Sequence, residues 1–124
     1  LEHAKDMFRF NYSDHNDRSN RSPQDRVNQQ TSLEAFKINT LSGVMFTGAM
    51  KVAENIANGI NMSGVKSEAD LRAVIKRVFD KWLNSSEAGV CETVMSYEHT
   101  HFGLAVFGDR WVLLVAEIVQ ITDH

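Results

Sequence analysis

Histidine and carboxylate side chains are the residues whose types could support acid–base or metal chemistry in this chain. His15 lies in a polar segment beside Asp14 and Asp17, and Glu54 lies within the sequence Ala-Glu-Asn-Ile-Ala. A histidine can act as a general base, and a nearby carboxylate can orient it or activate a water molecule. From the residues alone, the simpler interpretation is a loop histidine and a helix glutamate that both face solvent.

A second pair of histidines, His99 and His101, stands two positions apart in a segment predicted to be extended. Alternate residues of a strand project on the same side, so these two imidazoles are expected to share a face. That spacing suits metal ligands, although a strand-end pair that holds no metal is the simpler interpretation. Glu87 and Glu92 flank the start of the predicted sheet, where a solvated carboxylate is the default expectation.

Composition and charge exclude several classes of protein. The 124 residues, enough for one domain, include 13 Lys and Arg against 16 Asp and Glu, a net charge of -3. Binding to nucleic acid through phosphate neutralisation is therefore disfavoured. The single cysteine, Cys91, cannot form an internal disulfide and excludes zinc sites of the Cys₄ or Cys₂His₂ type. We expect no transmembrane segment and no signal peptide in this sequence, because no apolar run is long enough.

The elements expected to position these residues are helices followed by an antiparallel sheet. Helices are predicted over residues 1–10, 33–41, 49–60 and 68–84, with loop composition over 11–31, a helical turn at 22–26 and a break at 43–48. The helix over 68–84 is the clearest, because Ser67 caps it and apolar residues recur at spacings of 3 and 4. Strands are predicted over 90–97, 102–107 and 110–121.

The last two predicted strands form a hairpin across Gly108 and Asp109, where glycine permits a positive φ. The run 111–116 is apolar without alternation, which predicts a strand covered on both faces. The sheet is therefore predicted to contain at least three strands from residues 90–121 and to lie between helical layers.

Six short motifs occur along the chain in a distinctive order. They are His3-Ala4-Lys5-Asp6-Met7, Tyr12-Ser13-Asp14-His15, Ser22-Pro23-Gln24-Asp25-Arg26, Ala53-Glu54-Asn55-Ile56-Ala57-Asn58-Gly59, Trp82-Leu83-Asn84-Ser85 and Thr100-His101-Phe102-Gly103. Their order and spacing resemble the CAP superfamily, named for cysteine-rich secretory proteins, venom antigens and plant pathogenesis-related proteins. The resemblance is to the disulfide-free, SCP-like branch. It covers nearly the whole chain, 1–124 as a single domain, with the start of the family's first helix missing.

The resemblance implies an α+β fold, an α-β-α sandwich with a central antiparallel sheet of three or four strands. It also implies a cleft lined by two histidines and two acidic residues, sometimes holding zinc or another divalent ion. By position, His15 matches the first family histidine, and Glu54 matches the glutamate of the Gly-Glu-Asn motif. Both residues are thereby expected to line a cleft.

The chain departs from the family pattern at three places. Ala53 replaces the glycine before the glutamate, and Ser85 stands near the second acidic position, with Glu87 the nearest carboxylate. The second histidine should fall between Ala88 and Cys91, where there is none. Metal binding is therefore expected to be weak or absent unless His101 or His99 joins His15.

From the resemblance we expect the chain to be a non-enzymatic, secreted or extracellular domain. We expect it to bind a lipid, another small apolar ligand or a protein partner. The expected cleft residues are His15, Glu54, Asn55 and His101. One alternative is a hydrolase with His15, Glu54 and Glu87 as candidate catalytic residues. A second alternative is a structural subunit of a larger assembly. The metal candidates are His15 and His101, and no cofactor beyond a weakly held divalent ion is expected.

Overall fold

The computed structural model describes residues 1–27, 29 and 44–122, with side chains described for 1–27, 29 and 51–117. It is a mixed α+β structure. Its elements are α1 (Glu2–Phe10), the helical segment α2 (23–27), β1 (Val44–Ala57), α3 (Glu68–Leu83), α4 (Val90–Met95), β2 (His101–Phe107) and β3 (Arg110–Thr122). The helix predicted over 33–41 lies outside the described residues. Within the described ranges, no helix has both the length and the apolar character needed to cross a bilayer.

Within the described part of the chain, the sheet has three strands in the order β1-β3-β2, and both pairings are antiparallel. The β2–β3 hairpin confirms the sequence prediction, and Gly108 at its turn has a φ of 61°. Leu114 of β3 lies opposite Glu54 of β1 and opposite Gly103 of β2. The long apolar strand β3 is therefore central, as expected of a strand without alternation.

The predicted helix over 49–60 and the predicted break at 43–48 are both wrong, because Val44–Ala57 is the strand β1. The small residues of this segment are compatible with a helix, but fourteen residues of extended backbone pair with β3 instead. Strand formation here depends on this long-range partner, which overrides local preference. Glycine at position 48 falls where the register is irregular, between Phe46 and Ala49, a usual place for glycine in a strand.

The predicted strand over 90–97 is also wrong, because Val90–Met95 forms the short helix α4. β-branched residues in this segment favour a strand locally. A helical turn, however, brings Val90 and Val94 to the same side, and both pack against the core beneath α3. The third strand of the sheet therefore comes from residues 44–57, before α3, and not from residues that follow it.

The helix α3 confirms the sequence prediction. The Ser67 side chain accepts a hydrogen bond from the backbone N–H of Asp70, at 3.1 Å. Val78 and Trp82 are 0% and 1% exposed, and the Trp82 indole Nε1 donates to the carbonyl oxygen of Ile56 at 3.1 Å. The apolar face thus fixes α3 against the end of β1, close to Glu54.

Buried side chains pack on both faces of the sheet. One cluster joins α3 to alternate residues of β3, with members Ala57, Ile60, Val78, Trp82, Trp111, Leu113 and Val115. The other joins Ala4 and Met7 of α1 to Val112. Because successive strand residues point to opposite faces, β3 contributes to both clusters, as its unbroken apolar sequence predicts.

We predict that Trp82→Ala lowers the free energy of unfolding by about 3–5 kcal/mol, the usual cost of deleting a buried aromatic side chain. The loss includes the indole hydrogen bond to the Ile56 carbonyl. Leu83→Ala is the matched control, since Leu83 is the next residue and is 37% exposed. Urea denaturation of both variants measures the difference, and equal midpoints would show that Trp82 is not part of the core.

We predict that Gly108→Ala destabilises the hairpin by about 1–2 kcal/mol from its positive φ alone. The half-exposed Phe8 ring, which packs over this turn, must also shift, because an added Cβ would overlap it. Gly64→Ala is the control, because its Cβ would meet nothing within 4 Å and its φ is not positive. Thermal melts that shift equally for the two alanine variants would contradict this.

Candidate functional site

The carboxylate of Glu54 lies at the centre of a buried polar cluster, and its side chain is 0% exposed. Oε1 accepts a hydrogen bond from Nδ1 of His15 at 3.0 Å, and Oε2 accepts one from Nη2 of Arg26 at 2.9 Å. A carboxylate removed from water needs such partners, and a guanidinium that is itself largely buried supplies the compensating charge. Both oxygens of Glu54 are therefore committed to protein partners.

The loop that carries His15 is held through two successive backbone carbonyls. Nε2 of His3 donates to the carbonyl oxygen of Asp14 at 2.8 Å. Nη2 of Arg26 donates to the carbonyl oxygen of His15 at 2.6 Å. The same two side chains face Glu54, with His3 Nε2 at 3.9 Å from Oε1. His3 and Arg26 thus fix the loop and the carboxylate relative to each other.

Local sequence explains how α2 positions the Arg26 side chain beside Glu54. The Asp25 backbone N–H donates to Oγ of Ser22 at 3.1 Å, and the Ser22 N–H donates to Oδ2 of Asp25 at 3.0 Å. This reciprocal cap, with Pro23 in the first helical position, starts the helix at the predicted place. The guanidinium of the next residue then points toward Glu54.

Tyr12 ties the beginning of the loop to α1. Its hydroxyl donates to Oδ2 of Asp6 at 2.5 Å. Burial, together with this hydrogen bond to a carboxylate, raises the pKa of the Tyr12 phenol well above its ordinary value. The phenol therefore remains a donor at any pH near neutrality, three residues before His15.

The contact with Glu54 selects the tautomer of His15. A carboxylate oxygen only accepts hydrogen bonds, so Nδ1 must carry the proton. In the neutral ring, Nε2 then holds a free lone pair, and the side chain is 55% exposed. An imidazole oriented at Nδ1 by a carboxylate is the arrangement that histidine general bases use.

A polar cleft of about 380 Å³ opens beside His15. Its polar lining residues include Ser13, His15, Asn55, Asn58, Lys81 and Glu87. Asn55 is 1% exposed, and its Nδ2 donates to the carbonyl oxygen of Val90 at 2.9 Å, which links β1 to α4. Three of the residues singled out from the sequence, His15, Asn55 and Glu87, therefore share this cleft, with Glu54 buried behind His15.

His101, expected in the same cleft, lies elsewhere. It begins β2 and lines a different pocket together with His99, Phe102 and Leu113. The reason is topological, because the segment that follows α4 leads to the strand at the other side of β3 from Glu54. The idea that His101 or His99 completes a site around His15 is therefore not supported by their positions.

The residues around Glu54 do not fit the metal site that the family resemblance implies. Both of its oxygens are engaged by His15 and Arg26, and the position of the second family histidine holds none. Across residues 1–27, 29 and 44–122, no group of three or more His, Cys, Asp or Glu side chains is placed to hold a metal ion. A closed site needs three or four such ligands.

His3 and Arg26 are site residues that the sequence analysis missed, although both occur in the quoted motifs. Their partners are distant, since Arg26 and Glu54 are 28 positions apart. One general signal was available. Once Glu54 is expected to be buried, a cationic partner for it must exist.

Comparisons with known proteins identify the fold. No family model matches the chain, and no match was found among curated protein sequences. Among solved structures, the chain is similar to an extracellular protein containing an SCP domain from Bacillus anthracis str. Ames, with a TM-score of 0.60 and 21% identity. The match covers 94% of this chain and 30% of that protein. The chain therefore has a CAP/SCP-like fold and spans less than a third of this neighbour's length.

We predict that Glu54→Gln lowers the free energy of unfolding by about 3 kcal/mol or more, because it leaves the largely buried Arg26 charge uncompensated. Glu68→Gln is the matched control. It breaks a Glu–Arg pair of similar length, 2.8 Å to Arg72, whose side chains are 77% and 79% exposed. Exposed pairs contribute little, so urea denaturation should leave this variant close to the parent. Equal losses in both variants would contradict the assigned role of Glu54.

Proposed function

We propose that this chain is an extracellular, SCP-like ligand-binding domain that uses the cleft beside His15. We further propose that residues 1–124 fold as one domain with the α-β-α sandwich of the family. The observation that carries the functional proposal is the buried Glu54–His15 contact, which presents a free Nε2 lone pair at the edge of a polar cleft. An oriented acceptor of this kind is a binding group for a ligand O–H or N–H.

The lining of the cleft favours a small polar ligand over the lipid that the resemblance suggests. Among the described residues, its charged lining side chains are two carboxylates, Asp14 and Glu87, and one ammonium, Lys81. Nζ of Lys81 donates to the carbonyl oxygen of Asn58 at 3.3 Å, and its remaining protons can bind an anionic group. A zwitterionic molecule that also offers a hydroxyl group fits this distribution of charges and hydrogen-bonding groups.

A titration with the dipeptide seryl-glycine tests this proposal, followed by amide NMR shifts. We expect saturable shifts at Asn55, Asn58 and Lys81 that disappear in His15→Ala. His101→Ala is the control and should bind like the parent, because His101 lines another pocket. Shifts at the cleft that are unchanged in His15→Ala, or no shifts at millimolar dipeptide, would contradict the proposal.

A second candidate function is hydrolysis, which the orientation of His15 by Glu54 favours specifically. Here His15 Nε2 would remove a proton from a water molecule while that water attacks the carbonyl carbon of an ester or amide. Release of p-nitrophenol from p-nitrophenyl acetate measures this. Turnover that is lost in both His15→Ala and Glu54→Gln would replace the binding proposal with a hydrolytic one, and turnover equal in all three proteins would reject hydrolysis at this site.

A further inference from the structure

A second pocket lies on the other side of the sheet from Glu54. It measures about 320 Å³ and is bounded by α3, α4 and the β2–β3 hairpin. Its walls are the apolar side chains of Phe79, Val94, Leu113 and Val115, with Phe102, 78% exposed, also in the lining. This volume is at the lower end of the range for small-molecule sites, which are concave and mostly apolar.

Strand register separates this pocket from the carboxylate of Glu54. Glu54 lies opposite Leu114, whereas Phe102 lies opposite Val115. Since successive residues of a strand point to opposite faces, the Glu54 carboxylate and this pocket lie on opposite faces of the sheet. The cleft reaches around the β1 edge of the sheet to Asn55, whereas the pocket lies against β2 and β3. None of the described residues that line the pocket also lines the cleft. Changes in one can therefore be made without touching the other.

The titratable side chains that line the pocket are of one kind. Among the described residues, its lining contains two imidazoles, His99 and His101, and no Asp, Glu, Lys or Arg side chain. The nearby carboxylate of Glu98 is engaged by Nζ of Lys51 at 3.0 Å. A protonated imidazole offers two hydrogen-bond donors and no acceptor, so these two rings, when protonated, complement an anion better than a cation.

The two histidines differ in their partners. Nδ1 of His101 is hydrogen-bonded with Oγ1 of Thr100 at 2.7 Å. Nδ1 of His99 is buried and has no partner among the described residues. A buried, unpaired ring nitrogen is costly. Rotation of the His99 ring toward a bound acceptor group would relieve that cost.

We propose that this pocket is a second binding site, and that its ligand is a small aromatic carboxylate. The rings of Phe79 and Phe102 suit an aromatic body, which prefers edge-to-face and offset contacts with such side chains. The imidazole N–H groups suit the carboxylate, because hydrogen bonds to a charged acceptor are stronger than those to a neutral one. The site is independent of the function proposed for the cleft.

Three compounds with the same ring system test the charge preference. They are 2-naphthoate, 2-naphthol and 2-naphthylmethylamine, titrated into the whole chain at pH 6 and followed by amide NMR shifts. We expect 2-naphthoate to shift Phe102, Val94 and Val115 and to bind about tenfold or more tightly than 2-naphthol. The ammonium compound should bind most weakly. Equal affinity for all three, or shifts confined to the cleft beside His15, would overturn the proposal.

Two variants test the location. Ser96→Trp should fill the pocket and abolish binding of 2-naphthoate, and Phe102→Ser removes an exposed wall and should weaken it severalfold without a folding cost. The double variant His99→Phe/His101→Phe should reduce the affinity for 2-naphthoate to that for 2-naphthol. Lys81→Gln, in the cleft, is the control and should bind as the parent does. Retained affinity in both Ser96→Trp and Phe102→Ser would show that the ligand sits elsewhere.

Discussion

The buried carboxylate of Glu54 is the constraint on which the rest of the site depends. Its side chain has no exposure to water, so the fold must supply partners for both oxygens. Arg26 and His15 do so from two different segments that precede β1. The carboxylate thereby fixes the loop that carries His15 against the sheet, and it makes one side of that imidazole a donor and the other an acceptor.

Because β3 is apolar on both faces, each face of the sheet packs against a different helical layer. The two faces can therefore support different chemistry. On the face of α1, the packing of Ala4 and Met7 places His3 beside Glu54 and the His15 loop. On the other face, α3 packs along the sheet, while the short α4 leaves an apolar pocket beside the hairpin. A polar site and an apolar pocket can therefore coexist in a small domain without sharing side chains.

Sequence predicted the elements whose signals are local. The cap at Ser67 and the apolar spacing located α3, the Ser22–Pro23 cap located α2, and Gly108 located the hairpin turn. It failed for β1 and α4, whose conformations depend on β3 and on the core beneath α3. For the site, the motif resemblance pointed to His15 and Glu54, but nothing local indicated that Arg26 pairs with Glu54 or that His101 faces another pocket.

The most direct test of this account is which ring nitrogen of His15 carries the proton. Long-range ¹H–¹⁵N NMR of the parent protein, at a pH at which the ring is neutral, measures this. The account predicts a proton on Nδ1, donated to Glu54, and a bare Nε2. Glu54→Ala should release this preference, so that the Nε2–H form usual for exposed histidines predominates. A parent spectrum that already shows Nε2–H as the major form would contradict the central role assigned to Glu54.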